Sequence, residues 1–182
     1  MKGIIIYKSK YGATRQYAQW LGSALRLPVM TSEDIDGTIL TNSEFIVLGG
    51  SVYIGKLLIS DWIKKNAMYI KNKKLFLFIV SGTTADEKEK QEEIIRENIR
   101  EEIRDHCDIY FLRGRKIMKD LSWMDRLLLR MGAALTRNPD DKKRMLQDFD
   151  EVKTENLNPL ITSIMALAAK GEKNTINKAV RI

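Results

Sequence analysis

The residues best suited to chemistry lie in a short loop near the amino terminus. Ser9, Gly12 and Thr14 stand between a β-branched run and a segment with helical periodicity. At the start of a helix the first backbone N–H groups lack partners and the dipole is positive, which suits a phosphate dianion. The two hydroxyls add donors, and the glycine permits a close backbone approach or a positive φ. On this loop alone, a phosphate site and an ordinary hydroxyl-capped turn are equally good interpretations.

Two later loops also have compositions that suit ligand contact. Residues 50–55 end an apolar run and carry Tyr53, which either stacks on a planar ligand or merely closes the loop. Residues 81–84 end another apolar run and offer small hydroxyl donors. The residues that the three loops offer for binding are Ser9, Lys10, Tyr11, Gly12, Ala13, Thr14, Gly50, Ser51, Val52, Tyr53, Ile54, Gly55, Ser81, Gly82, Thr83 and Thr84.

The elements that must position these loops alternate between strands and helices. Continuously apolar strands that alternate with helices indicate a parallel sheet covered on both faces, and such sheets bind ligands at the carboxyl ends of their strands. The predicted strands are Gly3–Tyr7, Val29–Met30, Phe45–Leu48, Leu75–Val80 and Ile109–Leu112. The predicted helices are Ala13–Leu25, Leu57–Ile70, Asp86–Asp105 and a last one capped by Asn158, with Pro159 in its first turn and Gly171 at its end.

An insertion at about residues 113–145 interrupts this alternation. It has ten basic and four acidic residues, so it supplies six of the seven net positive charges of the chain. A helical wheel places Leu121, Trp123, Met124, Leu127, Leu128 and Met131 on one apolar face bordered by Arg126 and Arg130. This pattern suits an interfacial helix on an anionic membrane. A helix packed on its own domain or on a second copy has the same pattern, so both interpretations stay open.

Composition excludes several other classes. Of the 182 residues one is a cysteine, Cys107, so no intramolecular disulfide can form and a reducing, cytoplasmic setting is expected. The chain starts without a secretion signal, and its longest apolar run, Leu75–Val80, is too short to span a bilayer. His106 is the only histidine and has no carboxylates at metal-ligand spacing. We therefore expect no metal site, no catalytic acid or base, and no nucleic-acid partner.

The first loop resembles the phosphate-binding loop of flavodoxins. The shared pattern is Ser9, two residues, Gly12, one residue and Thr14, directly after an amino-terminal strand. The Walker lysine and the three-glycine Rossmann spacing are both absent. The segment 49–55 is similar to the second flavin-contacting loop, with Tyr53 as the stacking aromatic and Gly50 or Gly55 facing flavin N5. The resemblance implies a three-layer sandwich with a five-stranded parallel sheet, and flavin mononucleotide (FMN) as cofactor.

The third loop, residues 81–85, matches the position of the third flavin loop but has no aromatic residue. Many flavodoxins that carry electrons have a second aromatic there, so this sequence predicts one open flavin face. An open face permits a planar substrate or a quinone to stack for direct electron or hydride transfer.

The insertion resembles that of the flavodoxin-like, menaquinone-dependent protoporphyrinogen IX dehydrogenases. The likeness is strongest at Trp123, Asp125 and Arg126. It implies an FMN-dependent oxidoreductase that passes electrons from a porphyrinogen to a quinone, peripherally associated with the inner face of the cell membrane. The alternatives are a soluble flavodoxin that carries electrons between proteins and a flavin-binding module whose insertion forms a homodimer contact.

Overall fold

The computed structural model describes residues 2–179, and the side chains of residues 2–170. Its main sheet contains β1 (Gly3–Lys8), β2 (Val29–Thr31), β3 (Phe45–Tyr53), β4 (Lys56–Leu57), β5 (Lys74–Ser81) and β6 (Cys107–Arg113). Five of these strands are parallel in the order β2-β1-β3-β5-β6, and β4 pairs antiparallel with the end of β3. This is the strand order of the flavodoxin-like doubly wound sheet. The predicted α/β fold with a five-stranded parallel sheet is therefore confirmed.

Helices cover both faces of the sheet. They are α1 (Ala13–Leu25), α2 (Gly37–Asn42), α3 (Ser60–Ile70), α4 (Lys88–Asn98), α5 (Glu101–Arg104), α6 (Trp123–Leu135), α7 (Pro139–Leu146) and α8 (Asn158–Ala179). Alternate residues of each strand face opposite sides, so Ile5 belongs to the core on the side of α1 and α8, whereas Ile4 and Ile6 belong to the core on the side of α3 and α5. Two apolar cores thus hold the three layers together and fix the carboxyl ends of the strands at one edge.

The predicted helix Leu57–Ile70 begins too early. The chain turns sharply at Ile54 and Gly55, so that Lys56 and Leu57 form β4 against β3. The helix α3 starts only at Ser60. The polar stretch between β2 and β3 also contains a short helix, α2, whose start is capped by Asp36, which accepts from Ile39 N–H.

Two other helix boundaries differ from prediction. Asp86–Asp105 is two helices, α4 and α5, since the backbone at Ile99 is extended. This break allows both Ile99 and Ile103 to be buried in the core. The last helix does not end at Gly171 but continues to Ala179. A glycine inside a helix costs only about 1 kcal/mol relative to alanine, which does not stop a helix.

The insertion contains α6 and α7, and its first strand β7 (Arg115–Lys116) pairs antiparallel with β8 (Phe149–Asp150). The predicted apolar helix exists as α6, but Leu121 does not share its open face. Leu121 precedes the helix and is buried, because the turn Met118–Asp120 folds it inward. No helix within residues 2–179 combines the length and the apolar character needed to cross a bilayer.

Candidate functional site

The loop between β1 and α1 has the backbone of an anion site. Gly12 has φ of 87°, which a side chain would strain, and its N–H donates to Ser9 Oγ over 3.1 Å. The first turn of α1 has no acidic residue, and among the described side chains none caps its start. Thr14 is fully buried, and its Oγ1 has no hydrogen-bond partner in the described part of the chain. A buried, unpartnered hydroxyl beside free helix N–H groups fits a phosphate.

The loop after β3 is a tight hairpin tip. Ile54 and Gly55 both have positive φ, 48° and 73°, as a two-residue type I′ turn requires. Asn98 holds the tip, since its side chain accepts from Leu57 N–H over 2.7 Å and donates to Gly55 O over 2.9 Å. A β-branched residue is disfavoured at this φ, so exposed Ile54 sits in a strained conformation that the hairpin enforces.

The hairpin distinguishes two candidate glycines, Gly50 and Gly55, that the sequence could not tell apart. A Cβ at Gly50 would lie 2.8 Å from Ile59 and 2.9 Å from Leu57, so Gly50 is packed beneath the hairpin. A Cβ at Gly55 would meet no atom of the described structure within 4 Å. Ser51 and Val52 continue β3 inside the sheet. Gly55 is therefore the glycine that offers a backbone group at the open edge.

The loop after β5 is ordered by its own hydroxyls. Ser81 is buried and its Oγ accepts from Thr83 N–H, and Thr84 donates to Glu87 through both N–H and Oγ1. Hydrogen bonds from Lys90 and from Thr84 hold the pKa of Glu87 at about 2, so its carboxylate is charged at neutral pH. The N–H of Thr83 and both donors of Thr84 are thus engaged within the loop.

The insertion covers part of this third loop. Arg113 Nη1 donates to Gly82 O over 2.7 Å, and Arg144 approaches Glu87 at 3.4 Å. A Cβ on Gly82 would lie 3.3 Å from Cζ of Phe149, so the ring of Phe149 packs directly against this glycine. An aromatic residue from β8 therefore lies beside the third loop, which has none of its own. The open flavin face stays a prediction.

A carboxylate from the insertion joins the first two loops. Asp125, in the first turn of α6, accepts from Tyr53 Oη over 2.5 Å and also from Tyr11 Oη. Lys10 Nζ lies 2.7 Å from Asp125 Oδ2 and 3.6 Å from the centre of the Tyr53 ring. We name these four side chains the Asp125 cluster.

The charges of the Asp125 cluster stabilise one another. Burial raises the pKa of the Asp125 carboxyl, but hydrogen bonds from Lys10, Tyr11 and Tyr53 outweigh that effect and bring it down to about 2. Burial alone would lower the pKa of Lys10, and the bond to Asp125 instead leaves it raised. The bond to Asp125 also raises the pKa of Tyr53. At neutral pH the cluster therefore contains the Asp125 anion, the Lys10 cation and the neutral phenol of Tyr53.

The structure brings together the predicted residues of the first loop and Tyr53, with the third loop along the same sheet edge. Sequence reasoning missed three contributors, namely Asp125 as a contact of the loops, Asn98 as the clamp of the hairpin and Phe149 beside Gly82. Asp125 was noted only as part of the insertion's pattern. These three residues lie far along the chain from the loops that they contact, so no spacing in the sequence indicates the contacts. Asn98, an asparagine inside a charged helix, was a weak hint.

A model of the flavodoxin domain matches residues 4–143. The chain belongs to the flavodoxin domain family. The matched range includes all three loops of this flavodoxin domain, the whole of α6 and the start of α7. A comparison with curated protein sequences finds no match.

The chain is also similar to solved structures of flavodoxins and of a flavoprotein. An archaeal flavodoxin is 20% identical, with coverage of 70% of this chain and 93% of that one and a TM-score of 0.43. A Megasphaera elsdenii flavodoxin is 19% identical, with coverage of 60% and 82% and a TM-score of 0.43. A Lactobacillus acidophilus flavoprotein in complex with FMN is 17% identical, with coverage of 62% and 91% and a TM-score of 0.43.

Proposed function

We propose that this flavodoxin domain binds FMN at the three loops and acts as an oxidoreductase that resembles the menaquinone-dependent protoporphyrinogen IX dehydrogenases. FMN, when bound, supplies the electron-transfer chemistry, and the protein supplies placement and electrostatics. In this proposal Ser9, Gly12 and Thr14 hold the phosphate, and Tyr53 stacks on the ring. Small donors at residues 81–84 face the edge of the ring.

One observation carries the choice of an enzyme over an electron carrier. The helix α6 is fixed beside the flavin loops through Asp125, and its opposite side exposes a row of large apolar residues. Trp123, Leu127 and Met131 are each about half exposed or more. Exposed apolar patches mark protein or membrane contacts, and a membrane contact next to the cofactor suits delivery of electrons to a membrane quinone.

The positive charge around the apolar row of α6 favours an anionic surface as its binding partner. Arg126 and Arg130 border the apolar row, and the insertion as a whole carries most of the net positive charge of the chain. An interfacial helix gains affinity both from buried apolar area and from attraction to anionic lipid headgroups. The same arginines would pair with the propionates of a porphyrinogen that approaches the ring. We accordingly propose peripheral association with the cytoplasmic face of the cell membrane.

The activity is tested by anaerobic reduction of the FMN-loaded protein with protoporphyrinogen, followed by reoxidation with a menaquinone analogue. Multiple turnovers support the proposed enzyme. Reduction and reoxidation by protein partners alone, without turnover of the porphyrinogen, would support the carrier that the sequence left open.

The membrane contact is tested by sedimentation with liposomes that contain or lack anionic lipid. Met131→Glu should abolish most of the binding to anionic vesicles, because it places a negative charge in the apolar row. Met68→Glu is the matched control, since Met68 is also exposed but lies on α3, away from the insertion. Equal binding by the two variants would refute the membrane contact and leave the homodimer contact to be checked by sedimentation velocity.

A further inference from the structure

We propose that Asp125 opposes the cofactor's phosphate by holding the Lys10 ammonium, so that phosphate binding and docking of α6 on the flavin loops weaken each other. This inference rests on the proposed FMN site. It assigns to the insertion a role in cofactor binding in addition to the proposed membrane contact.

The first part of the argument is the position of Lys10. This residue belongs to the predicted phosphate loop, two positions before Gly12, yet its ammonium points to Asp125 at 2.7 Å. It also lies over the Tyr53 ring at 3.6 Å, a cation–π distance. The one charged side chain between Ser9 and Thr14 is thus held by the insertion, in contact with the aromatic proposed to stack on flavin.

The second part is the charge of the cluster. Asp125 is almost fully buried and ionised at neutral pH, with Lys10 as the cation that balances it. A phosphate dianion at the start of α1 would add two negative charges next to this balanced pair. Lys10 would then be shared between two anions, and the phosphate would repel the buried Asp125 carboxylate. Both effects weaken the binding of the anion that is held less firmly, whether it is the phosphate or the Asp125 carboxylate.

The third part of the argument is that α6 has few buried residues besides Asp125. Of the thirteen residues of α6, only Asp125 and Ala133 are buried, so the Asp125 cluster is a main anchor of its first turns. A ligand that loosens this anchor therefore releases the start of α6. By linkage, whatever holds α6 down must weaken phosphate binding by the same factor.

The test compares FMN with riboflavin, which has the same ring but no phosphate. Asp125→Asn should tighten FMN binding by about tenfold, within the usual range of coupling between sites, and change riboflavin binding less than twofold. Asp120→Asn is the matched control, because it removes an exposed carboxylate from the same insertion outside the cluster. Dissociation constants come from flavin fluorescence titration, with urea unfolding of each variant to confirm that it is folded.

Hydrogen exchange on the unmodified protein tests the same coupling in the opposite direction, should Asp125→Asn fail to fold. Saturating FMN should speed amide exchange in residues 123–128, whereas saturating riboflavin should not. Slower exchange with FMN, or weaker FMN binding by Asp125→Asn, would overturn the inference, because Asp125 would then close over the cofactor. Equal effects on both ligands would also overturn it. An unmodified protein that binds neither ligand would refute the proposed FMN site and this inference together.

Discussion

The helices α1 and α6 are both thirteen residues long and both amphipathic, yet the fold uses them in opposite ways. In α1 the apolar residues Tyr17, Ala18 and Leu21 have no exposed surface. In α6 the corresponding face is open, with Trp123 68% and Leu135 83% exposed. Amphipathic periodicity therefore identifies an apolar face but does not tell whether the protein itself covers it.

The amino-terminal ends of the two helices show the reverse contrast. At α1, Gly12 offers no side-chain cap and no acidic residue follows in the first turn. At α6, Ser122 Oγ accepts from Asp125 N–H over 3.1 Å, and the Asp125 carboxylate lies in the first turn. The helix with the covered face thus has an open, anion-accepting end, and the helix with the open face supplies its own cap and anion.

The largest effect is expected from a leucine on each apolar face. Leu21→Ala should lower the free energy of unfolding by about 2–5 kcal/mol, because it leaves a cavity under α1. Leu127→Ala on α6 should lower it by about 0.5 kcal/mol, as exposed substitutions do. Urea unfolding measures both values. Similar losses in the two variants would mean that the face of α6 is covered in solution, for example by a second copy.

The open end of α1 is tested by Thr14→Val. Loss of the hydroxyl should weaken FMN binding roughly ten- to a hundredfold, since hydrogen bonds to charged groups contribute about 1.5–3 kcal/mol. The ligand-free protein should be unchanged in stability or slightly more stable, because a buried hydroxyl without a partner disappears. Thr14→Ser keeps the hydroxyl and should retain affinity. FMN affinity that is indifferent to Thr14→Val would place the phosphate elsewhere.

The closed end of α6 is tested by Ser122→Ala. Loss of this cap should cost about 1 kcal/mol of helix stability. Amide exchange in the first turn of α6 should become about fivefold faster, with α1 unaffected. Ser23→Ala, an exposed serine within α1, is the control. If exchange in α6 stays the same, the cluster around Asp125 alone holds this end.

The smallest expected effect concerns the charge of Asp125, since it appears only well below neutral pH. Its pKa of about 2 lies below the ordinary value of 3.8, so the ionised carboxylate stabilises the folded state above about pH 4. This contribution should be lost as the pH falls from about 4 to about 2. NMR signals of the Tyr53 ring, which contacts both Lys10 and Asp125, report the change. Asp125→Asn should lack this transition, and a transition of the same size in that variant would assign it to another group.

Much of the fold could be predicted because its signals are local. Apolar runs such as Leu75–Val80 and the periodicity of Ala13–Leu25 indicate strands and helices directly, and short connections leave few topologies. The three candidate loops follow from the strand ends. The errors arose where tertiary contacts override local pattern, as at Leu57, which pairs with β3, and at Ile99, which leaves the helix to enter the core.

The sequence by itself determined the parallel sheet, the loop with Ser9, Gly12 and Thr14, and the apolar character of α6, because each depends on neighbours within a few residues. Only the tertiary structure decided that Asp125 contacts Lys10 and Tyr53, that Asn98 clamps the hairpin and that Phe149 packs on Gly82. These contacts join residues separated by 41 to 115 positions in the chain. Their geometry is set by how the layers pack, which no local spacing encodes.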